Sequence, residues 1–142
     1  KKNIELNNLK NIRLVQTLIT DSAGKEEISL SPDTNTGSSG VLKKQIYKVD
    51  KETVESISLE GLMKKMNIEL IDLIKIDIEG SEYEAILGSK NLFQSKLIKK
   101  IALELHPQFL KKRNLNEAEI LDFLLSCGYK KDTKYKNLLF TL

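Results

Sequence analysis

Ile71-Asp72-Leu73-Ile74-Lys75-Ile76-Asp77-Ile78-Glu79-Gly80-Ser81-Glu82 is the stretch on which the rest of the chain depends. Ile74, Ile76 and Ile78 recur at the two-residue period of a strand and share one face, while Lys75, Asp77 and Glu79 share the other. A charged face on an apolar strand is costly unless its charges pair or meet a polar ligand. Gly80 allows a tight bend. Ser81 and Glu84 have the spacing of a capping box, which predicts a helix through about Leu87. In an open α/β sheet, ligands bind beyond the carboxyl ends of the strands, and Asp77 and Glu79 stand at such an end.

Upstream of this stretch, residues 53–57 and 41–49 read as strands, the former leading into a short helix over 59–66. Residues 31–40 (SPDTNTGSSG) combine nearly every loop-forming residue type, which predicts a surface loop, either a cover over a site or a plain connection. Residues 27–30 suit a short strand, 21–24 a turn, and the branched residues of 12–19 another strand. Residues 1–8 resemble the last turns of a helix, and there is no initiator methionine. Downstream, Gly88 breaks the helix, 91–94 suits a further turn, and 97–105 is the next strand, closed off by Pro107. Asn116 with Glu119 marks a helix start, Ile120, Leu121, Leu124 and Cys127 form its apolar stripe, and Gly128 its stop. Residues 129–133 and 137–142 read as a closing hairpin. Strands alternating with helices argue for an α/β fold.

The bulk properties narrow the function. A length of 142 residues suits one domain, 1–142, with a sizeable core. No apolar run approaches the roughly 20 residues of a membrane span, and no signal-peptide pattern opens the chain. The lone Cys127 excludes an internal disulfide and fits a reducing, cytoplasmic compartment. The net charge of +3 is carried by scattered lysines, not massed with aromatics, so neither nucleic acid nor a membrane is the expected partner.

Two strand ends converge in this reading. Asp77 and Glu79 end one strand, while Glu104 and His106, again two apart, end the next. If the strands are parallel neighbours, three carboxylates and the only histidine meet at one sheet edge. Such a set can orient a hydroxyl substrate, act as a general base or bind a divalent metal. The competing structural reading pairs Lys75 with one carboxylate, satisfies others at helix N-termini, and leaves His106 hydrogen-bonded beside Pro107.

The string running from Asp72 to Glu82, followed by Leu87-Gly88 and by Ala102-Leu103-Glu104-Leu105-His106, resembles the FkbM-type S-adenosylmethionine-dependent methyltransferases. Residues 3–24 look like that family's passage from the second helix into the third strand. The resemblance implies a Rossmann-like class I methyltransferase sheet with a C-terminal β-hairpin. The implied reaction transfers a methyl group from S-adenosylmethionine to a hydroxyl of a sugar, glycan or natural product. By resemblance, Asp77 orients or deprotonates that hydroxyl, Glu79 and Glu104 support it, and His106 is an alternative base. Thr17 and Leu18 fall where the adenine would lie, and Ser38 and Ser39 in a substrate loop.

The chain also departs from the family. The glycine-rich first strand-turn-helix and the second strand with its ribose-binding acid are missing, and no Gly-x-Gly occurs. The expected chain is therefore the C-terminal part of a methyltransferase-like domain, its sheet lacking the first two strands. Either the native protein is longer, or the open edges re-pair, for example in a homodimer. Two alternatives stand beside this reading. One is a non-catalytic binding or assembly module; the other is a metal-dependent α/β enzyme using Asp77, Glu79, Glu104 and His106.

Overall fold

The computed structural model describes residues 1–29, 51–132, 134 and 138–142. Along them run α1 (Lys2–Leu6), β1 (Leu18–Thr20), β2 (Gly24–Ser29), β3 (Lys51–Ser58), α2 (Leu59–Met66), β4 (Ile74–Ile76) and α3 (Glu82–Leu87). There follow α4 (Lys90–Gln94), β5 (Lys100–Leu103), α5 (Pro107–Lys111), α6 (Glu117–Ser126), β6 (Lys130–Asp132) and β7 (Leu138–Thr141). The strands form two sheets, ordered β1-β3-β2 and β4-β5-β7-β6. β4 and β5 are parallel, with Ile74 opposite Ile101 and Ile76 opposite Leu103. The closing hairpin, β6 with β7, lays β7 antiparallel on β5. The mixed α/β reading holds.

The second sheet is built on its apolar face. Ile76, Ile101, Leu103 and Phe140 are buried there, in one core with Ile120 and Leu124 of α6. Each such side chain contributes about 1.5–3 kcal/mol when fully buried. Phe93 on α4 meets Phe123 and Tyr129 edge-on, with ring centroids 6.1 and 6.4 Å apart.

The Tyr129 hydroxyl, buried with its ring, donates to the Ile98 carbonyl at 2.5 Å. Burial pushes this phenol up to about 12, against about 10 in an unfolded chain. Stability owed to the neutral phenol is therefore complete below the unfolded value and lost as pH rises through the folded one. Alkaline unfolding should coincide with ionisation of Tyr129, read by ultraviolet absorbance. In Tyr129→Phe the late ionisation step should vanish.

Several local expectations change. Ser81 does precede α3, but it makes no side-chain cap, its backbone sitting at φ −97° and ψ 10° instead of the extended conformation an N-cap needs. Glu84 does not reach back either, because the Arg113 guanidinium takes it. The Asn116 start is real, its side chain accepting from the Ala118 N–H at 3.0 Å, but Glu119 is engaged by the Tyr83 hydroxyl. Of the strand expected at 12–19, only Leu18 and Ile19 lie in the ladder, parallel to Ser56 and Ile57. Upstream the chain follows the end of α2 instead, where Arg13 donates to the Met66 carbonyl. The strand expected at 41–49 and the loop at 31–40 lie outside the described residues.

Candidate active site at the ends of two parallel strands

The parallel ladder sets the site. Beyond the last paired residues, the Glu104 N–H still donates to the Ile76 carbonyl at 2.9 Å, so β4 and β5 end side by side. This brings Asp77 next to Glu104 and His106: one oxygen of each carboxylate and one ring nitrogen lie within 4.8 Å of one another. Nε2 of His106 is 3.9 Å from Asp77 Oδ1 and 3.8 Å from Glu79 Oε2. All four residues named from the strand ends are thus gathered in one place. Their exposure is graded, with 33% of the Asp77 side chain and 28% of Glu79 open to solvent but only 13% of His106. A ligand would enter over the carboxylates and meet the ring last.

The local backbone explains why these residues converge. Glu79 adopts φ +54° and Gly80 φ +104°, so two successive residues in the left-handed region reverse the chain sharply after β4. A side chain at Gly80 would come within 2.7 Å of Phe109 Cβ, because α5 packs directly on the turn. Arg113 clamps the same turn from outside, donating to the Gly80 carbonyl at 3.2 Å and to Glu84.

Lys75 Nζ lies 2.6 Å from Asp77 Oδ2, and this hydrogen bond holds the ammonium above its usual pKa. One face of Asp77 is therefore taken, as the structural reading of Lys75 expects, and Oδ1 is the oxygen turned toward His106.

Sequence reasoning passed over Glu82. It is fully buried, and its Oε1 accepts from the Ile78 N–H at 3.3 Å and the Gly80 N–H at 3.1 Å. The same oxygen lies 2.9 Å from His106 Nδ1, while Oε2 is buried with no hydrogen-bond partner. No local signal marks it: Glu82 and Glu84 both lie in the first turn of α3, and the partner His106 comes only after β5.

The cluster of Asp77, Glu104 and His106 offers acceptors for the hydrogen of a substrate hydroxyl, and the same three could hold one divalent cation. Thr17 and Leu18 stand at the start of β1, with the Thr17 hydroxyl donating to the Glu55 carbonyl at 3.0 Å. Ser38 and Ser39 lie outside the described residues. Among the described residues, no helix is long and apolar enough to cross a membrane.

Neither the curated proteins nor the solved structures searched contain a match to this chain. A sequence family described as the Methyltransferase FkbM domain matches residues 2–131, which include both sheets' parallel pairs and every residue of the strand-end cluster. With so much of its length matched, the chain belongs to the FkbM methyltransferase domain family.

Proposed function

We propose that this chain supplies the acceptor side of an S-adenosylmethionine-dependent methyltransferase acting on a hydroxyl of a small molecule, sugar or glycan. The observation that carries the reading is the packing of Asp77, Glu104 and His106 within 4.8 Å at the ends of two parallel strands. An oxygen placed among them lies about 2.7–3.0 Å from all three, so its single hydrogen can be given to whichever of them acts as base. Methylation at oxygen requires the hydroxyl to be held in line and to lose its proton. The acceptor hydroxyl gives its one hydrogen to His106 Nε2, which takes the proton; Asp77, steadied by Lys75, faces that ring through Oδ1 and stabilises the imidazolium that results, and Glu79 and Glu104 keep the mouth of the site polar.

The described residues do not by themselves fit S-adenosylmethionine. A nucleotide-like cofactor needs glycines whose bare Cα faces the ligand. Here Gly61, Gly80 and Gly88 are pressed against Ile57, Phe109 and Asp21, while Gly24, in β2, and Gly128, after α6, have room beside them but stand singly, in no Gly-x-Gly turn. In the proposed class I sheet, the strands carrying that cradle sit between β1 and β4, the end strands of the two sheets described.

The test is calorimetric titration of S-adenosylmethionine into the 142-residue chain and into the product of its whole gene. The 142-residue chain should give no saturable heat at ligand concentrations up to about 1 mM, a binding free energy weaker than about 4 kcal/mol. Binding by the whole-gene product and not by the 142 residues supports the reading. Binding by neither overturns it, and tight stoichiometric binding by the 142 residues alone would place the cradle within them.

A further inference from the structure

The one buried ionisable group at the strand ends with no task so far is the Glu82 carboxylate. Resting on the acceptor site proposed above, we infer that Glu82 is a positioning residue that fixes the tautomer of His106, keeping the proton on Nδ1 and turning the Nε2 lone pair toward the acceptor hydroxyl.

The argument starts from the donors that converge on one oxygen. Ile78 and Gly80 present backbone N–H groups to Glu82 Oε1 at 3.3 and 3.1 Å, and these groups can only donate. An oxygen accepting from two amides is a poor place for a proton, so the third contact, to His106 Nδ1 at 2.9 Å, is read with nitrogen as donor. The carboxylate has no access to water, and a charge-assisted N–H···O⁻ bond, about twice as strong as a neutral one, is what a buried anion requires.

At the other ring nitrogen the competition is weak. Asp77 and Glu79 face Nε2 at 3.9 and 3.8 Å, beyond hydrogen-bond reach, so neither holds a proton there against Glu82. Phe109 lies beside the ring, with centroids 6.2 Å apart. A solvated neutral histidine prefers the opposite tautomer, so the arrangement reverses the ring's default. In the proposed proton transfer the acceptor O–H bond breaks as an Nε2–H bond forms. The resulting imidazolium then carries protons on both nitrogens, facing Glu82 on one side and Asp77 with Glu79 on the other. Orientation of an imidazole by a buried carboxylate is how a general base is kept in its working tautomer.

The chain has a single histidine, so its imidazole nitrogen signals need no disentangling from others. Two-bond proton–nitrogen correlation spectra of the whole 142-residue chain, with the pH raised until the ring signals stop moving, should show protonated Nδ1 and unprotonated Nε2. Glu82→Gln keeps the shape and an amide oxygen for the two backbone donors while removing the charge. It should shift the tautomer ratio toward Nε2–H by roughly five- to tenfold. A wild-type ring protonated mainly on Nε2 overturns the inference. So does an unchanged ratio in Glu82→Gln, which would mean that Glu82 only braces the turn. Should that variant fail to fold, the wild-type spectrum alone decides. Failure of the methyltransferase reading would leave these signals untouched, so the two cannot be confused.

Discussion

Glu82→Ala is expected to lower the stability of the folded chain by about 3–5 kcal/mol, the range seen when one member of a buried charged network is removed. The substitution strips the acceptor from three donors at once: the Ile78 N–H, the Gly80 N–H and His106. Each buried donor left without an acceptor costs about 1–3 kcal/mol. Part of this is returned, because the carboxylate no longer has to be buried and its second oxygen was already without a partner. Glu84→Ala, two residues along the same helix, is the control. Its ion pair with Arg113 is partly solvated, and exposed pairs contribute roughly 0–1 kcal/mol. Urea unfolding of both variants measures the contrast. If the two lose equal stability, Glu82 is not the acceptor that holds the turn after β4.

That contrast also shows what could and could not be read from sequence. The stretch from Ile74 to Gly80 was legible because two independent signals agreed: the two-residue apolar period and the glycine that ends it. α2 agrees to the residue with the helix expected over 59–66, and the structure adds its start signal, Ser58 accepting from the Gly61 N–H at 3.1 Å. The choice between Glu82 and Glu84 was not legible. Both acids sit in the first turn of α3, and spacing from Ser81 favours Glu84. Which one turns inward is decided by groups far along the chain, namely His106 after β5 and Arg113 after α5. Local pattern carries no information on such contacts. The segment at 12–19 failed in the opposite direction. Its branched residues favour a strand, but a strand needs a partner, and β3 offers β1 only Ser56, Ile57 and Ser58. Propensity without a ladder leaves an extended chain with Leu14 exposed.

The second large effect is expected from Gly88→Ala. Gly88 caps α3 at φ −75°, a conformation alanine adopts freely, so backbone strain is no part of the prediction. The cost is steric. A Cβ there would lie 2.4 Å from Asp21 Cα and 2.5 Å from the Glu84 carbonyl oxygen, and neither backbone atom can swing aside as a side-chain tip could. Relief requires the turn after β1 to move off the helix, for about 3 kcal/mol or somewhat less if the turn tilts as a unit. The effect should be uneven. α3 carries Glu82 at its first residue and abuts Asp21 just past its last, so this helix of about 9 Å spans from the strand-end cluster to the three-stranded sheet. Amide exchange in β1 and β3 should therefore quicken in Gly88→Ala while β4 and β5 keep their protection. Uniform loss across both sheets would mean that they unfold as one unit, and that α3 does not join two separable parts. In the proposed reaction the distinction matters, because Thr17 and Leu18, on the cofactor side by resemblance, stand at the start of β1 in one sheet, and Asp77 and His106 beyond the ends of β4 and β5 in the other. Loosening the contact at Gly88 would then spoil alignment between methyl donor and acceptor while every residue of the strand-end cluster stayed in place.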